Sequence, residues 1–213
     1  MQTSEIRSKF REVLEGDTCV HPGSVFDPIS ARIAEDLGFE VGMFAGSIAS
    51  ATVLGAPDYI VLTLTELSDQ IRRICRASDL PLLIDADHGY GNALNAKRTI
   101  EELENSGASA VTIEDTLLPR TYQEQSVGLI SIDEGLGKIK AAISGRTDSS
   151  MVVAARTSAF QLSDSNDAIK RAIAYEQAGA DAIFFTGISE REQLELIAES
   201  LTCLLYTSPS PRD

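Results

Sequence analysis

The sequence predicts an α/β fold, a (β/α)8 TIM-type barrel left incomplete, with about six βα units present and the last two strands missing. Three observations predict it. The strand-length runs LPLLI, AVTI, MVVAA and AIFF are apolar throughout rather than alternating, as suits parallel strands covered on both faces. Helix-length amphipathic segments separate them in steady alternation, the pattern of repeated right-handed crossovers. Residues with chemical capability recur just after four successive strand ends: Gly46 and Ser47, Asp85 and Asp87, Glu114 and Asp115, then Arg156. Barrel enzymes build their sites this way, whereas a doubly wound sheet gathers its ligand at one switch point.

Taken in order, the N-terminal segment carries Ile6, Phe10, Val13 and Leu14 at helical spacing. A short strand is predicted over 19–21 and a helix over 27–37. Strand 39–44 leads into the small-residue loop GSIASATVLGAPD and a helix over 64–76. Strand 80–85 runs into the glycine-rich DADHGYGN and a helix over 94–105. Strand 110–114 precedes an irregular stretch, 116–130, and a helix over 132–143. Strand 151–155 precedes helix 165–178, and strand 182–185 precedes helix 190–200. Gly38, Gly107 and Gly179 stand just past three of these helices, where a left-handed cap favours glycine. A seventh strand is expected after Leu201. The sequence instead reads CLLYTSPSPRD, which resembles the in-frame translation of a sequencing adapter. The chain therefore divides into a partial barrel domain, 1–202, and a non-native tail, 203–213. That division leaves edges open at the first and sixth strands.

Composition narrows the function. Eighteen basic residues against thirty-two acidic ones give a net charge of −14. Such a surface repels phosphate backbones and anionic lipid, which argues against nucleic-acid and membrane partners. An anionic substrate then needs a local cation. The three cysteines form no CxxC pair and their number is odd, which fits a reducing compartment. No signal peptide and no apolar run of membrane-spanning length is evident, so a cytoplasmic location is expected.

The strongest chemical signal is LIDADHGYGN, residues 83–92. Asp85 and Asp87 lie two apart at a strand end and share a side if the chain stays extended. Their hard oxygens suit Mg2+ or Mn2+. Taken alone, the pair also reads as a helix cap with an acidic turn. Glu114 and Asp115 at the next strand end favour the metal, because four adjacent carboxylates repel one another unless a cation lies among them. Asp58 is a further carboxylate at the rim or a loop cap. The small pair Gly46–Ser47 lets backbone N–H groups face an anion, or simply packs a tight loop. Arg156 reads as a carboxylate clamp or as a structural ion pair to Glu114 or Asp115. His88 reads as a supporting residue beside the metal loop rather than an acid or base.

Together, G-S at 46–47, D-A-D-x-G-Y-G-N at 85–92, E-D at 114–115 and A-R-T at 155–157 resemble the phosphoenolpyruvate mutase/isocitrate lyase superfamily. The likeness covers residues from about 8 to 202. The segments SVFDPISARIAEDLGFE, DADHGYGNALN and TIEDTLLP resemble its oxaloacetate-decarboxylating branch. The resemblance implies a barrel fold, a homo-oligomer (dimer or tetramer), and a small 2-oxo acid as substrate. It implies Mg2+, with Mn2+ possible, on Asp85, Asp87 and Glu114, and substrate contacts from Gly46, Ser47 and Arg156, with Ser47 and Arg156 the catalytic pair. It implies decarboxylation of oxaloacetate to pyruvate through a metal-stabilised enolate. Other C–C or P–C chemistry of the superfamily, and non-catalytic 2-oxo-acid binding, are the alternatives. The K-[KR]-C-G-H loop of the isocitrate and methylisocitrate lyases is absent, since TLLPRTYQEQSVG stands there; Arg120-Thr121-Tyr122 does not reproduce the mutase loop either. The branch also uses a histidine from near its seventh or eighth strand, beyond this sequence, so impaired activity is expected of the chain as given.

Overall fold

Each strand of the molecule pairs in parallel with the next strand of the chain. The computed structural model describes residues 2–120, 127–202 and 204–207. Helix α1 (Thr3–Glu15) comes first, followed by β1 (Gly23–Ser24), α2 (Pro28–Asp36) and β2 (Gly42–Phe44). The short helix α3 (Gly46–Ala49) runs into a π-helical turn (Ser50–Leu54) and then α4 (Leu64–Cys75). Next come β3 (Leu82–Asp85), α5 (Ala93–Ser106), β4 (Ala110–Glu114) and α6 (Ile132–Gly145). They are followed by β5 (Val152–Thr157), α7 (Ala159–Leu162), α8 (Ser165–Gln177), β6 (Ala182–Phe185), α9 (Arg191–Ser200) and β7 (Leu204–Thr207).

The strand order is β1-β2-β3-β4-β5-β6-β7, with no reversal. That is the order of a (β/α) barrel wall and not of a doubly wound sheet, where a switch point interrupts it. Side chains of a strand alternate between faces. Phe44, Leu82, Ile84, Val111, Ile113, Val153, Ala155, Ile183 and Phe185 face the helices in the main core. Leu83, Ala110 and Val152 face the other way, into a smaller core closed at one end by Phe10 of α1. By the same parity Asp85, Thr112, Glu114, Arg156 and Phe184 continue this inner face toward the C-terminal ends of the strands. Helices begin where the sequence offers a cap: Asp27, Thr63, Asn92, Ser131 and Asp164 each accept a hydrogen bond from a first-turn N–H.

Most predicted elements recur within a few residues. The first strand is displaced: β1 lies at Gly23–Ser24, not at 19–21, because pairing with Gly42 and Met43 brings Val25 into the core while Cys19 stays exposed. The predicted loop after β2 is helical over Gly46–Leu54. Strand β5 extends through Arg156 and Thr157, in register with Phe184 and Phe185. Leu204–Thr207, which the sequence reading assigns to the tail, pairs in parallel with β6 as a seventh strand.

Helix α1 is tied down by buried arginine chemistry as well as by Phe10. Arg7, 5% exposed, donates from Nε to the Ala108 carbonyl (2.9 Å), from Nη2 to the Glu104 carbonyl (2.6 Å) and from Nη1 to Asp148 (2.8 Å). Burial raises the Asp148 pKa, but hydrogen bonds from Arg7 and Ser150 outweigh it and hold the carboxyl at about 2. Arg7→Ala leaves two carbonyls and a carboxylate without their donor. We expect it to destabilise the protein by about 3 kcal/mol in urea unfolding; a loss indistinguishable from a surface substitution would show that α1 is only loosely attached.

Candidate active site

The C-terminal ends of β2 to β5 bring together Gly46, Asp85, Asp87, Glu114 and Arg156, while Asp115 lies apart. Asp85 ends β3 on the inner face. Its Oδ1 accepts from the Asp87 N–H (3.1 Å) and from the Thr112 hydroxyl (3.3 Å), and its Oδ2 accepts from Arg156 Nη1 (2.7 Å). Glu114, two strand positions above Thr112, accepts from the Thr116 hydroxyl at 3.0 Å and lies 3.5 Å from Arg156 Nε. Glu114 and Arg156 are register partners across β4 and β5, so the ion pair follows from the pairing itself. Arg156 in turn stacks over Phe184, its register partner on β6, with Cζ 5.5 Å from the ring centroid. Its Nε–H is buried and has no hydrogen-bond partner among the described residues.

Asp87 reaches the same space from a left-handed turn (φ 46°), a conformation that aspartate tolerates better than most residues. Its carbonyl accepts from the Glu114 N–H at 2.8 Å, which ties the β3 turn to the end of β4. Its carboxylate faces Gly46 at the start of α3: a Cβ on Gly46 would fall 2.8 Å from Asp87 Oδ1 and 3.5 Å from Asp85 Oδ2. A side chain at Gly46 would therefore push the Asp87 carboxylate aside. Ser47, next in the chain, is exposed in the first turn of α3. Asp58 receives a long hydrogen bond from the Ser50 hydroxyl (3.4 Å) and adds its charge to the cluster.

These carboxylates repel one another. Burial pushes the Asp87 pKa up to about 8, and the negative charges of Asp85, Glu114 and Asp58 add to it, against the pull of Arg156. Burial also raises Glu114, with Arg156 opposing. Arg156 stays charged because Asp85 and Glu114 overcome the penalty of its burial. Among the described residues, no three carboxylate, imidazole or thiol side chains already form a closed cation cage. The arrangement is instead three carboxylates at one strand-end ring with a guanidinium between two of them.

Asp115 corrects the sequence reading. It does not join the first three carboxylates, because one step along an extended chain reverses the side. It points outward, where its Oδ2 accepts from the Thr157 hydroxyl (3.0 Å), Arg171 Nη1 (3.0 Å) and the Tyr175 hydroxyl (2.8 Å). Arg156 correspondingly pairs with Asp85 and Glu114 and not with Asp115. His88 is buried with its Nδ1 unpartnered among the described residues, and burial, followed by the charge of Lys138, lowers its pKa to about 4, which leaves it neutral. Thr121 and Tyr122 lie outside the described residues, so the loop comparison extends only to Arg120. The residues that sequence reasoning misses are Phe184, Lys138, Arg171 and Tyr175. A cavity of about 510 Å3 opens at the opposite end of the sheet, beside Glu12, Glu35 and Glu40, away from all of this chemistry.

A family model described as phosphoenolpyruvate phosphomutase matches residues 10–213. The chain is 55% identical to the oxaloacetate decarboxylase of Bradyrhizobium diazoefficiens over 207 residues, which is 97% of this chain and 72% of that one. It is 57% identical over 196 residues to the oxaloacetate decarboxylase of Rhodopseudomonas palustris strain BisB18, covering 92% and 68% of the two chains. Among solved structures, oxaloacetate acetylhydrolase in complex with the inhibitor 3,3-difluorooxalacetate superposes with a TM-score of 0.87 at 31% identity, over 96% of this chain and 71% of that one. Phosphonopyruvate hydrolase in complex with oxalate and Mg2+ superposes at 0.83 with 29% identity, over 100% and 74% of the two chains.

Proposed function

The chain belongs to the phosphoenolpyruvate mutase/isocitrate lyase superfamily, and from that premise we propose that it is a carboxy-lyase that converts oxaloacetate to pyruvate and CO2 with the aid of Mg2+. The observation that carries this reading is the ring of Asp85, Asp87 and Glu114 around Arg156 at the strand ends. The similarity to proteins named oxaloacetate decarboxylase supports the choice of substrate.

The donor set suits the metal. Mg2+ takes hard oxygen ligands, often only one or two carboxylates, and keeps several waters, so a closed three-carboxylate cage is not required. Asp85, Asp87 and Glu114 would hold it, and Mn2+ fits the same donors. When bound, the cation supplies Lewis-acid stabilisation of the charge that develops on the keto oxygen of the substrate. Arg156 would present its planar fork to a substrate carboxylate, held in place by Asp85 and Glu114. The first N–H groups of α3, at Gly46 and Ser47, have no intrahelical acceptor and are donors for the developing oxyanion. As the C3–C4 bond breaks, its electron pair moves into the C2–C3 bond and the keto π pair moves onto oxygen. Protonation at C3 then yields pyruvate.

The test compares turnover of oxaloacetate, phosphonopyruvate and 2-methylisocitrate in Mg2+. It uses the chain itself and a chimera extended by the C-terminal part of the Bradyrhizobium relative. Pyruvate release from oxaloacetate well above the metal-only background is expected in the chimera at least. Preference for either other substrate would overturn the decarboxylase reading; Mg2+-dependent oxalate binding without turnover of any of them would favour a binding protein. No described helix is long and apolar enough to cross a membrane. We infer a homo-oligomer, supported by the exposed apolar residues Ile29 and Ile33 on α2 and Leu37 just past its end, and a cytoplasmic location, supported by the likeness to oxaloacetate decarboxylases.

A further inference from the structure

Behind Glu114, on the helix side of β4, a buried carboxylate with one unpartnered oxygen and a buried lysine line one small cavity. Asp115 is 2% exposed; its Oδ2 is fully engaged, while Oδ1 has no hydrogen-bond partner among the described residues. Lys138 of α6 is 3% exposed, and the negative charges of Glu134, Glu114 and Asp115 support its ammonium against burial. Asp115 and Lys138 line a cavity of about 10 Å3 together with Glu114, Gly135 and Tyr175, which is room for one water. Gly135 makes the space: a side chain there would strike the Tyr175 hydroxyl, which reaches Asp115 through the gap.

Buried polar groups are satisfied by protein or by ordered water, and a buried charge without either is heavily penalised. The unpartnered carboxylate oxygen and the lysine share the wall of this water-sized space with Ile113 and Ile139, so a single water is the group that can serve both. We propose that this cavity holds one ordered water, which donates to Asp115 Oδ1 and accepts from Lys138 Nζ, and that Lys138 is thereby a positioning residue for the end of β4. The consequence runs through the backbone. Asp115 is anchored to α8 by Arg171 and Tyr175 and to β5 by Thr157, and the water joins α6 to the same anchor. Glu114, one residue earlier on the opposite face, takes its orientation from that anchored turn. Supporting groups behind a metal ligand commonly matter about 10- to 100-fold for metal affinity.

The functional half of this inference rests on the metal reading above, and the test separates the two. Mn2+ binding is measured by calorimetry on the wild type, Lys138→Met and Lys138→Arg, alongside a high-resolution crystal structure of the wild type. The expected results are one water between Asp115 and Lys138, about tenfold weaker Mn2+ binding in Lys138→Met, and recovery in Lys138→Arg. Lys138→Leu, which likewise removes the donor, replaces the methionine variant if that protein does not fold. A dry cavity overturns the water, and unchanged Mn2+ affinity in whichever donor-less variant folds overturns the positioning role. A wild type that binds no Mn2+ but shows the water would defeat the metal reading and the positioning role while leaving the water site standing.

Discussion

Asp87→Asn is expected to cut Mg2+-dependent turnover by at least about 100-fold, the upper end of what loss of a supporting group at a metal costs, and to make the metal-free protein more stable. Asparagine keeps the shape and tolerates the left-handed φ of 46°, so the turn survives and only the charge is lost. The stability effect has a defined sign. Burial and the neighbouring carboxylates raise the Asp87 pKa from 3.8 to about 8 in the folded protein. The native state therefore binds this proton more tightly than the unfolded chain does, and stability falls as pH rises across that window. Asparagine carries no such penalty. In EDTA, the melting temperature of Asp87→Asn should rise relative to wild type between pH 5 and pH 9, and saturating Mg2+ should shrink the gap at high pH. Parallel melting curves for the two proteins across that range would remove the electrostatic basis of the site.

Arg156→Met should have the second largest effect, and its size should depend on metal. Arg156 is the cation between Asp85 and Glu114, whose side chains are 10% and 7% exposed. Removing one partner of a buried pair costs about 3–5 kcal/mol, mostly from the charge left behind. In EDTA the variant should lose stability on that scale in urea unfolding, and Mg2+ should restore much of it by supplying the missing counter-charge. Arg156→Lys separates charge from shape. An ammonium is a point donor and has no plane to lay over Phe184. We expect Arg156→Lys to keep most of the stability yet raise KM for oxaloacetate and lower kcat. An equal stability loss for Arg156→Met with and without Mg2+ would mean that no cation binds beside Asp85 and Glu114.

Much of the barrel wall and of its strand-end chemistry is legible in the amino-acid sequence. The buried parallel strands announce themselves because both faces are apolar, and β4 and β6 fall at the predicted positions. The strand-end chemistry is legible because a barrel converts four separated motifs into one ring. The departures have physical causes. Adjacency groups Asp115 with Glu114, although alternation along a strand sends neighbours to opposite faces. Val25 fixes the first strand by long-range pairing, which no local preference for 19–21 could reveal. The helical turn over Gly46–Leu54 is built from small and β-branched residues whose local preferences are weak. Lys138 leaves one usable trace: it lies on the stripe Gly135–Ile139–Ala142 of α6, where a solvent-facing lysine does not belong. Arg171 likewise sits on the buried side of α8 with Ala168, Ala172 and Tyr175.

The central claim is that the carboxylate–arginine ring is a divalent-metal site for a 2-oxo acid. Its most direct test is calorimetric titration of oxalate, a stable planar dianion, into the protein with Mg2+ and with EDTA. Oxalate should bind the wild type only when Mg2+ is present and should not bind Asp87→Asn under either condition. Binding of oxalate with the same affinity in EDTA, or by Asp87→Asn in Mg2+, would contradict the account.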